Sequence, residues 1–242
     1  MKQLLHVQNL VKQYPNGEGV DDIGFSIKRG EIVGFLGANG AGKTTTLRCI
    51  AGLYKTQHGS IHIDGHGIEE NQVRGMVSFI PDSPSLYPML TVAEHLQFKA
   101  KAFRVSKHEL KDKVMYALQE VNLEQYADRP AGHLSRGQKQ RVMLAAAIIQ
   151  EADLYLFDEP TVGLDIPSKE WLAEWLKKNS DRNKGIIISS HSLEFVMETA
   201  QRIILIKKGK LISEKGIPID ESEKGAWRQE VIKELGGSQE HD

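Results

Sequence analysis

A single cysteine, Cys49, stands among 242 residues, so no internal disulfide framework holds the chain together, as expected in a reducing compartment. Long apolar runs are also missing. The longest, Val142 to Ile149, is far too short to cross a bilayer, which takes about 20 residues in a helix. The opening Met1-Lys2-Gln3-Leu4-Leu5-His6 holds no apolar segment of the length a secretory signal needs. Charge of one sign is not in excess: 31 Lys and Arg face 32 Asp and Glu, a net charge of -1. That balance argues against a protein held on nucleic acid or anionic lipid mainly by overall charge. No internal repeat or low-complexity segment appears. What is left is ordinary globular composition, 40% hydrophobic and 26% charged, in one domain or two closely joined ones with ample core. A cytoplasmic chain is expected, unless a partner takes it to a membrane.

Two β-rich stretches open the sequence, Leu4 to Leu10 and Ile23 to Ile27, followed by Ile32-Val33-Gly34-Phe35-Leu36, a continuous apolar run suited to a central buried strand. A glycine cluster ends it, and a helical pattern starts at Lys43. A further strand pair, Ile61 to Ile63 and Met76 to Ile80, leads into Pro81-Asp82-Ser83-Pro84, a rigid loop that continues neither element. From Thr91 to Gln150 the pattern is helical, with capping boxes at Thr91/Glu94 and Ser106/Glu109 and apolar positions at Val114, Leu118 and Val121. Buried-type strands return at Leu154 to Phe157, Ile186 to Ser189 and Ile203 to Ile206, separated by helices around Lys169 to Lys178 and Leu193 to Thr199. This alternation predicts an α/β fold, a mostly parallel sheet with helices on both faces and a helical insertion. Trp227, Val231 and Leu235 recur four apart, the spacing of a short amphipathic tail helix.

Gly37-Ala38-Asn39-Gly40-Ala41-Gly42-Lys43-Thr44 matches the P-loop pattern between an apolar strand and a helix, the context that pattern requires. Glycines let backbone N–H groups turn inward around phosphates, beside the positive end of the helix. Gly37, Asn39, Gly40, Ala41, Gly42, Lys43, Thr44 and Thr45 are the candidate nucleotide-binding residues. Lys43 brings a point charge to the β- and γ-phosphates, and the Thr44 hydroxyl suits Mg2+.

Leu154-Tyr155-Leu156-Phe157-Asp158-Glu159 reads as a buried strand ending in two carboxylates, at the edge where open α/β sheets bind ligands. Asp158 suits Mg2+ through its water shell. Glu159 suits the base that takes a proton from the water attacking the γ-phosphorus. The alternative for the pair is two solvated loop acids.

Leu134-Ser135-Arg136-Gly137-Gln138 at the start of a helix, between the P-loop and Asp158-Glu159, resembles the signature motif of the ATP-binding cassette family. Pro160-Thr161-Val162-Gly163-Leu164-Asp165 and His191 extend the resemblance, in motif order, over about residues 1 to 215. It implies a P-loop NTPase core with an antiparallel β subdomain, spanning 1–219, with the helical subdomain inserted at about 83–150 and a short helical tail at 220–242. It further implies an ATPase using ATP and Mg2+ and a head-to-tail dimer. In that dimer, Ser135, Gly137 and Gln138 of one subunit face the nucleotide on the P-loop of the other. His191 would contact the γ-phosphate, Asp165 would carry contacts across the dimer, and Tyr14 matches the aromatic that stacks on adenine, the alternative being plain packing beside the turn at Pro15-Asn16-Gly17.

Two positions depart from the family pattern. Asp82 stands where glutamine is usual, within reach of Mg2+ or water but adding negative charge beside a triphosphate; it is expected to keep the glutamine's coupling role. Arg136 replaces a usual glycine, and pairing with phosphate or a partner's acid is weighed against a solvated surface position. Pro81-Asp82 followed by Leu86-Tyr87-Pro88 and Leu90-Thr91-Val92 resembles subunits of exporters for drugs, peptides or ions. The resemblance therefore implies a transport ATPase with a second cassette subunit and a separately encoded integral membrane permease, peripheral on the inner face of the cell membrane. No nucleic-acid partner is expected. The alternative class is a cassette ATPase acting on a nucleic-acid, ribosome or assembly partner. His58, His62 and His66 are evenly spaced, but strand geometry does not gather them around one ion. Trp171 and Trp175 read as a core-facing helix stripe, and Lys107 to Lys113 as a solvated face.

Overall fold

A computed structural model describes residues 2–236. Strands β1 (Gln3–Gln13), β2 (Gly19–Lys28), β4 (His58–Ile63) and β5 (His66–Gly67) form a four-stranded antiparallel sheet in the order β2-β1-β4-β5. The larger sheet orders β10 (Lys210–Gly216), β9 (Arg202–Lys207), β3 (Ile32–Leu36), β8 (Gly185–Ser190), β7 (Leu154–Asp158) and β6 (Val77–Ile80), with only β10 running antiparallel to its neighbour. Every residue of β3, β7 and β8 is buried, which is why these strands read as unbroken apolar runs instead of alternating ones.

Strand alternation sorts their side chains into separate cores. Val33, Phe35, Leu156 and Ile187 pack toward α1 (Lys43–Ile50) and the small sheet. Ile32, Tyr155, Phe157 and Ile188 pack toward α2 (Val92–Ala102), α3 (Leu110–Glu120), α4 (Arg136–Gln150) and α5 (Ile166–Asp181). Leu36, Ile203 and Leu205 pack with Leu193 and Val196 of α6 (Leu193–Thr199) and with Trp227 and Val231 of α7 (Glu221–Leu235). Helices thus lie on both faces of the main sheet, as expected, and on one of them the small antiparallel sheet packs beside α1.

The strands Ile61 to Ile63 and Met76 to Ile80 do not pair. The first belongs to β4, whose Ile61 and Ile63 sit opposite Val7 and Leu5 in the small sheet, whereas β6 lies beside β7 in the large one. Edge strand β10 was not anticipated: its residues alternate between exposed and half-buried, and charged side chains break any apolar pattern. The Thr91/Glu94 box forms, with each backbone N–H donating to the other side chain at 2.8 and 3.2 Å. Ser106 and Glu109 also join, but in the turn ahead of α3, which begins at Leu110. Trp175 is core, its ring edge-on to Tyr155 and Phe157, while the half-buried Trp171 lies under the Arg141 guanidinium. His62 faces His6 across β1, and His66 lies 3.4 Å from Glu70. The tail helix forms at Glu221–Leu235, capped by Asp220; positions 237–242 of the expected tail lie outside the described residues.

Candidate active site

Parallel register brings the chemistry to one edge. Leu36 of β3 is level with Ser190 of β8, Asp158 of β7 with Ser189, and Ile80 of β6 with Phe157. The P-loop, the carboxylate pair, His191 and the Asp82 loop therefore all emerge from the carboxyl ends of adjacent parallel strands.

Helix α1 starts at Lys43 directly after Gly42, which adopts φ +109° and supplies no capping side chain. A Cβ there would lie 2.6 Å from Val20 Cγ1, so only glycine fits this turn. The first amides of such a helix have no intrahelical acceptor. Together with the macrodipole they form an anion cradle whose own sequence offers no cap.

Lys43 is almost fully buried, and its Nζ donates to the carbonyls of Gly37 at 2.6 Å and Ala38 at 3.3 Å. The same Nζ is 3.3 Å from Glu159 Oε1. That contact is an ion pair without hydrogen-bond alignment, and Oε1 is buried with no hydrogen-bond partner. The other oxygen, Oε2, is 2.8 Å from His191 Nδ1 and accepts from the His191 amide at 3.3 Å. Glu159 itself sits at φ +45°, a backbone state costing on the order of 1–2 kcal/mol for a residue with a side chain. Its amide, held by Ser189 Oγ at 3.1 Å, helps to keep it there.

Asp158 is 2% exposed and its Oδ1 accepts from Thr44 Oγ1 at 2.9 Å and from Ser189 Oγ at 2.6 Å. Burial pushes its carboxyl above the usual carboxylate range; the two hydroxyls pull the other way, and the nearby negative charge of Asp82 adds to the rise. Converging hydroxyl and carboxylate oxygens make a hard, all-oxygen donor set that fits a divalent cation such as Mg2+. Ser189 was missed in the sequence, although a hydroxyl ending the run Ile186-Ile187-Ile188 is a signal: a buried serine needs an acceptor. Arg48, which lines the same cleft, was also missed.

Tyr14, Asn39, Gly40, Ala41, Gly42, Lys43, Thr44, Thr45, Asp82, Asp158 and Glu159 line one open cleft. Tyr14 lies at its rim, its hydroxyl 3.5 Å from Thr45 Oγ1 and its ring edge-on to Tyr54. Ser135, Gly137 and Gln138 are elsewhere. They line a second concavity with Arg136, Gly163 and Asp165, and the two clefts share no residue. Ser135 caps α4, its Oγ accepting the Gln138 amide at 3.2 Å while Gln138 Oε1 accepts the Ser135 amide at 3.0 Å. Asp165 caps α5, its Oδ1 accepting from the Ser168 amide at 3.1 Å, and hydrogen bonding to the Ser168 side chain and then to that amide holds its carboxyl below the usual range.

Comparison with known proteins agrees with this layout. Residues 20–162 match the sequence pattern of the family described as ABC transporter. The SkfA peptide export ATP-binding protein SkfE of Bacillus subtilis (strain 168) is 56% identical over 234 residues, covering 97% of this chain and 98% of that protein. A solved ATP-binding subunit of an ABC transporter superimposes with a TM-score of 0.84 at 31% identity, covering 96% of this chain and 99% of that one. A dimeric ATP-binding cassette in a post-hydrolysis state, bound to ADP and Pi, gives a TM-score of 0.80 at 27% identity, covering 89% and 99%.

Proposed function

The chain belongs to the ABC transporter family, and from that premise we propose that it is the ATP-hydrolysing subunit of a peptide exporter. It works as a head-to-tail dimer against a separate membrane permease. One observation carries the dimer: the signature residues Ser135, Gly137 and Gln138 and the P-loop line clefts with no residue in common. One copy therefore presents its two grips in separate clefts, and a second copy turned about a two-fold axis would bring the signature of each to the P-loop of the other. Peptide as cargo rests on the likeness to the SkfA export subunit.

In this reading the loop amides and Lys43 hold the β- and γ-phosphates, and Tyr14 supports the base. Thr44 and Asp158 would hold Mg2+, whose charge offsets that of the phosphate oxygens when it is bound. Asp82 adds an oxygen on the same side. Glu159 takes the proton of the attacking water, its Oε2 steadied by His191 and its Oε1 turned toward the buried Lys43 side of the cleft. His191, 60% exposed, is free to reach the γ-phosphate. Across the interface, the positive dipole end of α4, capped by Ser135 itself, presents Ser135 and Gly137 to the neighbour's nucleotide. Loss of the γ-phosphate removes the contacts that favour closure, which makes a two-state motor.

Among the described residues no helix is long and apolar enough to cross a membrane, so a transporter needs a membrane-spanning partner. In this reading the helical part, at about 83–150, is an inserted subdomain that receives the permease. Tyr87, Met89 and Phe98 are exposed there, close in sequence to Asp82, with Met89 87% exposed and the Tyr87 ring stacked on His95 and edge-on to Phe98. Docking at this surface would place the chain on the inner face of the cell membrane.

Purification of the tagged chain from solubilised membranes of its host tests the proposal. A polytopic membrane protein is expected to co-purify and to raise the ATPase rate above that of the chain alone. Met89→Glu is expected to lose the partner while keeping nucleotide affinity, and Asp82→Ala to keep ATP binding but lose the partner's stimulation. Recovery of the chain without any membrane protein, or stimulation untouched in both variants, contradicts it.

A further inference from the structure

Arg136 is the first residue of α4, directly after the capping Ser135, and the first turn of that helix holds no acidic residue. A cation at this end opposes the helix macrodipole, so the position breaks a local rule without any gain to the helix itself. Its side chain crosses between two loops. Nη2 donates to the carbonyl of Asp82 at 3.3 Å, in the loop that follows β6. The stem lies over Gly163, in the loop that follows Glu159: a Cβ on Gly163 would be 3.0 Å from Arg136 Cδ and Nε. Gly163 adopts φ +74°, so glycine there serves both the turn and the passage of the arginine.

We propose that Arg136 is a positioning residue, a latch within one chain that ties the tip of α4 to the Asp82 loop and to the Gly163 loop. The residue usual at this point of the signature, glycine, has no side chain to do this. The latch joins the two faces that the clefts keep apart. Asp82 lines the cleft of the chain's own P-loop, while Ser135 and Gly163 line the cleft turned toward the neighbour. Occupancy of one nucleotide site, by shifting the Asp82 loop, is then carried through Arg136 to the surface that closes the other site. This second step rests on the head-to-tail dimer proposed above; the latch itself does not.

Order parameters from amide nitrogen relaxation at Ser83, Ser85 and Leu86 in the nucleotide-free monomer read the latch without any dimer. In Arg136→Ala they are expected to fall by about 0.1 or more, part of the way from a rigid backbone at about 0.85 toward a flexible one below about 0.6. Gly163→Ala leaves Arg136 in place but crowds its stem, and is expected to lower them at the same amides. Values at these three amides that stay within about 0.1 of wild type in Arg136→Ala, or are unchanged in Gly163→Ala, overturn the latch; a fall confined to the first turn of α4 counts against it. The Hill coefficient for ATP in hydrolysis reads the communication step, and Arg136→Ala is expected to lower it toward one. An unchanged coefficient overturns that step. A wild-type chain that stays monomeric with ATP contradicts the dimer instead, and leaves the relaxation result standing.

Discussion

Glu159→Gln is expected to bind ATP about as tightly as the wild-type chain, to lose turnover by about 10²–10⁴-fold, the usual contribution of a general base, and to accumulate a dimer with ATP trapped inside. The amide keeps the shape of the carboxylate and its reach toward His191 Nδ1, at 2.8 Å in the wild type, but cannot accept the proton of water. Because the buried Oε1 has no hydrogen-bond partner, the substitution breaks no well-formed bond on that side. Binding and chemistry therefore separate. Size-exclusion chromatography with ATP and a single-turnover assay check both halves; near-normal turnover removes Glu159 from the role of base.

Asp158→Asn is the second large effect, and it moves stability and activity in opposite directions. Turnover that depends on Mg2+ is expected to fall by about 10²-fold or more, since the carboxylate that would hold the ion is gone. The metal-free fold is expected to gain about 1 kcal/mol, because an unpaired buried charge is replaced by a neutral group of the same shape. The Asn carbonyl can still accept from Thr44 and Ser189, which both donate to Oδ1. The pH dependence follows from the direction of the shift. The native carboxyl titrates above its ordinary value of 3.8, so the folded state holds its proton more tightly than the unfolded one. Its contribution to stability is greatest below 3.8 and is lost as pH rises through the native value. The variant lacks that loss. Its Tm should exceed the wild-type value near neutral pH and converge with it in acid, and Mg2+ with ATP should raise Tm in the wild type only. A variant less stable than wild type at neutral pH contradicts this electrostatic account.

Much of this was legible in the residues. The five apolar positions of β3 match Ile32–Leu36, and α1 begins at Lys43, because a buried strand, a glycine turn and a helix start are each encoded locally. Asp158 and Glu159 were legible for the same reason. What escaped depends on contacts distant in sequence. That β4 and β6 belong to different sheets is decided by Val7 and Leu154, their partners far along the chain. Edge strand β10 carries alternating exposed and half-buried positions with no buried residue, so it has almost no apolar signal. Ser189 and Arg136 act through partners 31 and 54 positions away, a reach that motif spacing does not encode. The separation of the P-loop cleft from the signature cleft was implied by the family resemblance alone, since residues 37–45 and 134–138 carry no local signal of their distance in space.

Mixing two inactive variants tests the clamp between copies most directly. Lys43→Ala disables the P-loop, and Ser135→Arg blocks the signature tip, so each dimer of one kind has two defective sites. In a mixed dimer, one site combines both defects and the other pairs the intact P-loop of the Ser135→Arg copy with the intact signature of the Lys43→Ala copy. With random pairing, half the dimers are mixed and each has one intact site, so hydrolysis should return to at most about a quarter of the wild-type rate, less where the two sites are coupled. ATPase activity that stays, after mixing, at the level of the separate variants contradicts the head-to-tail clamp.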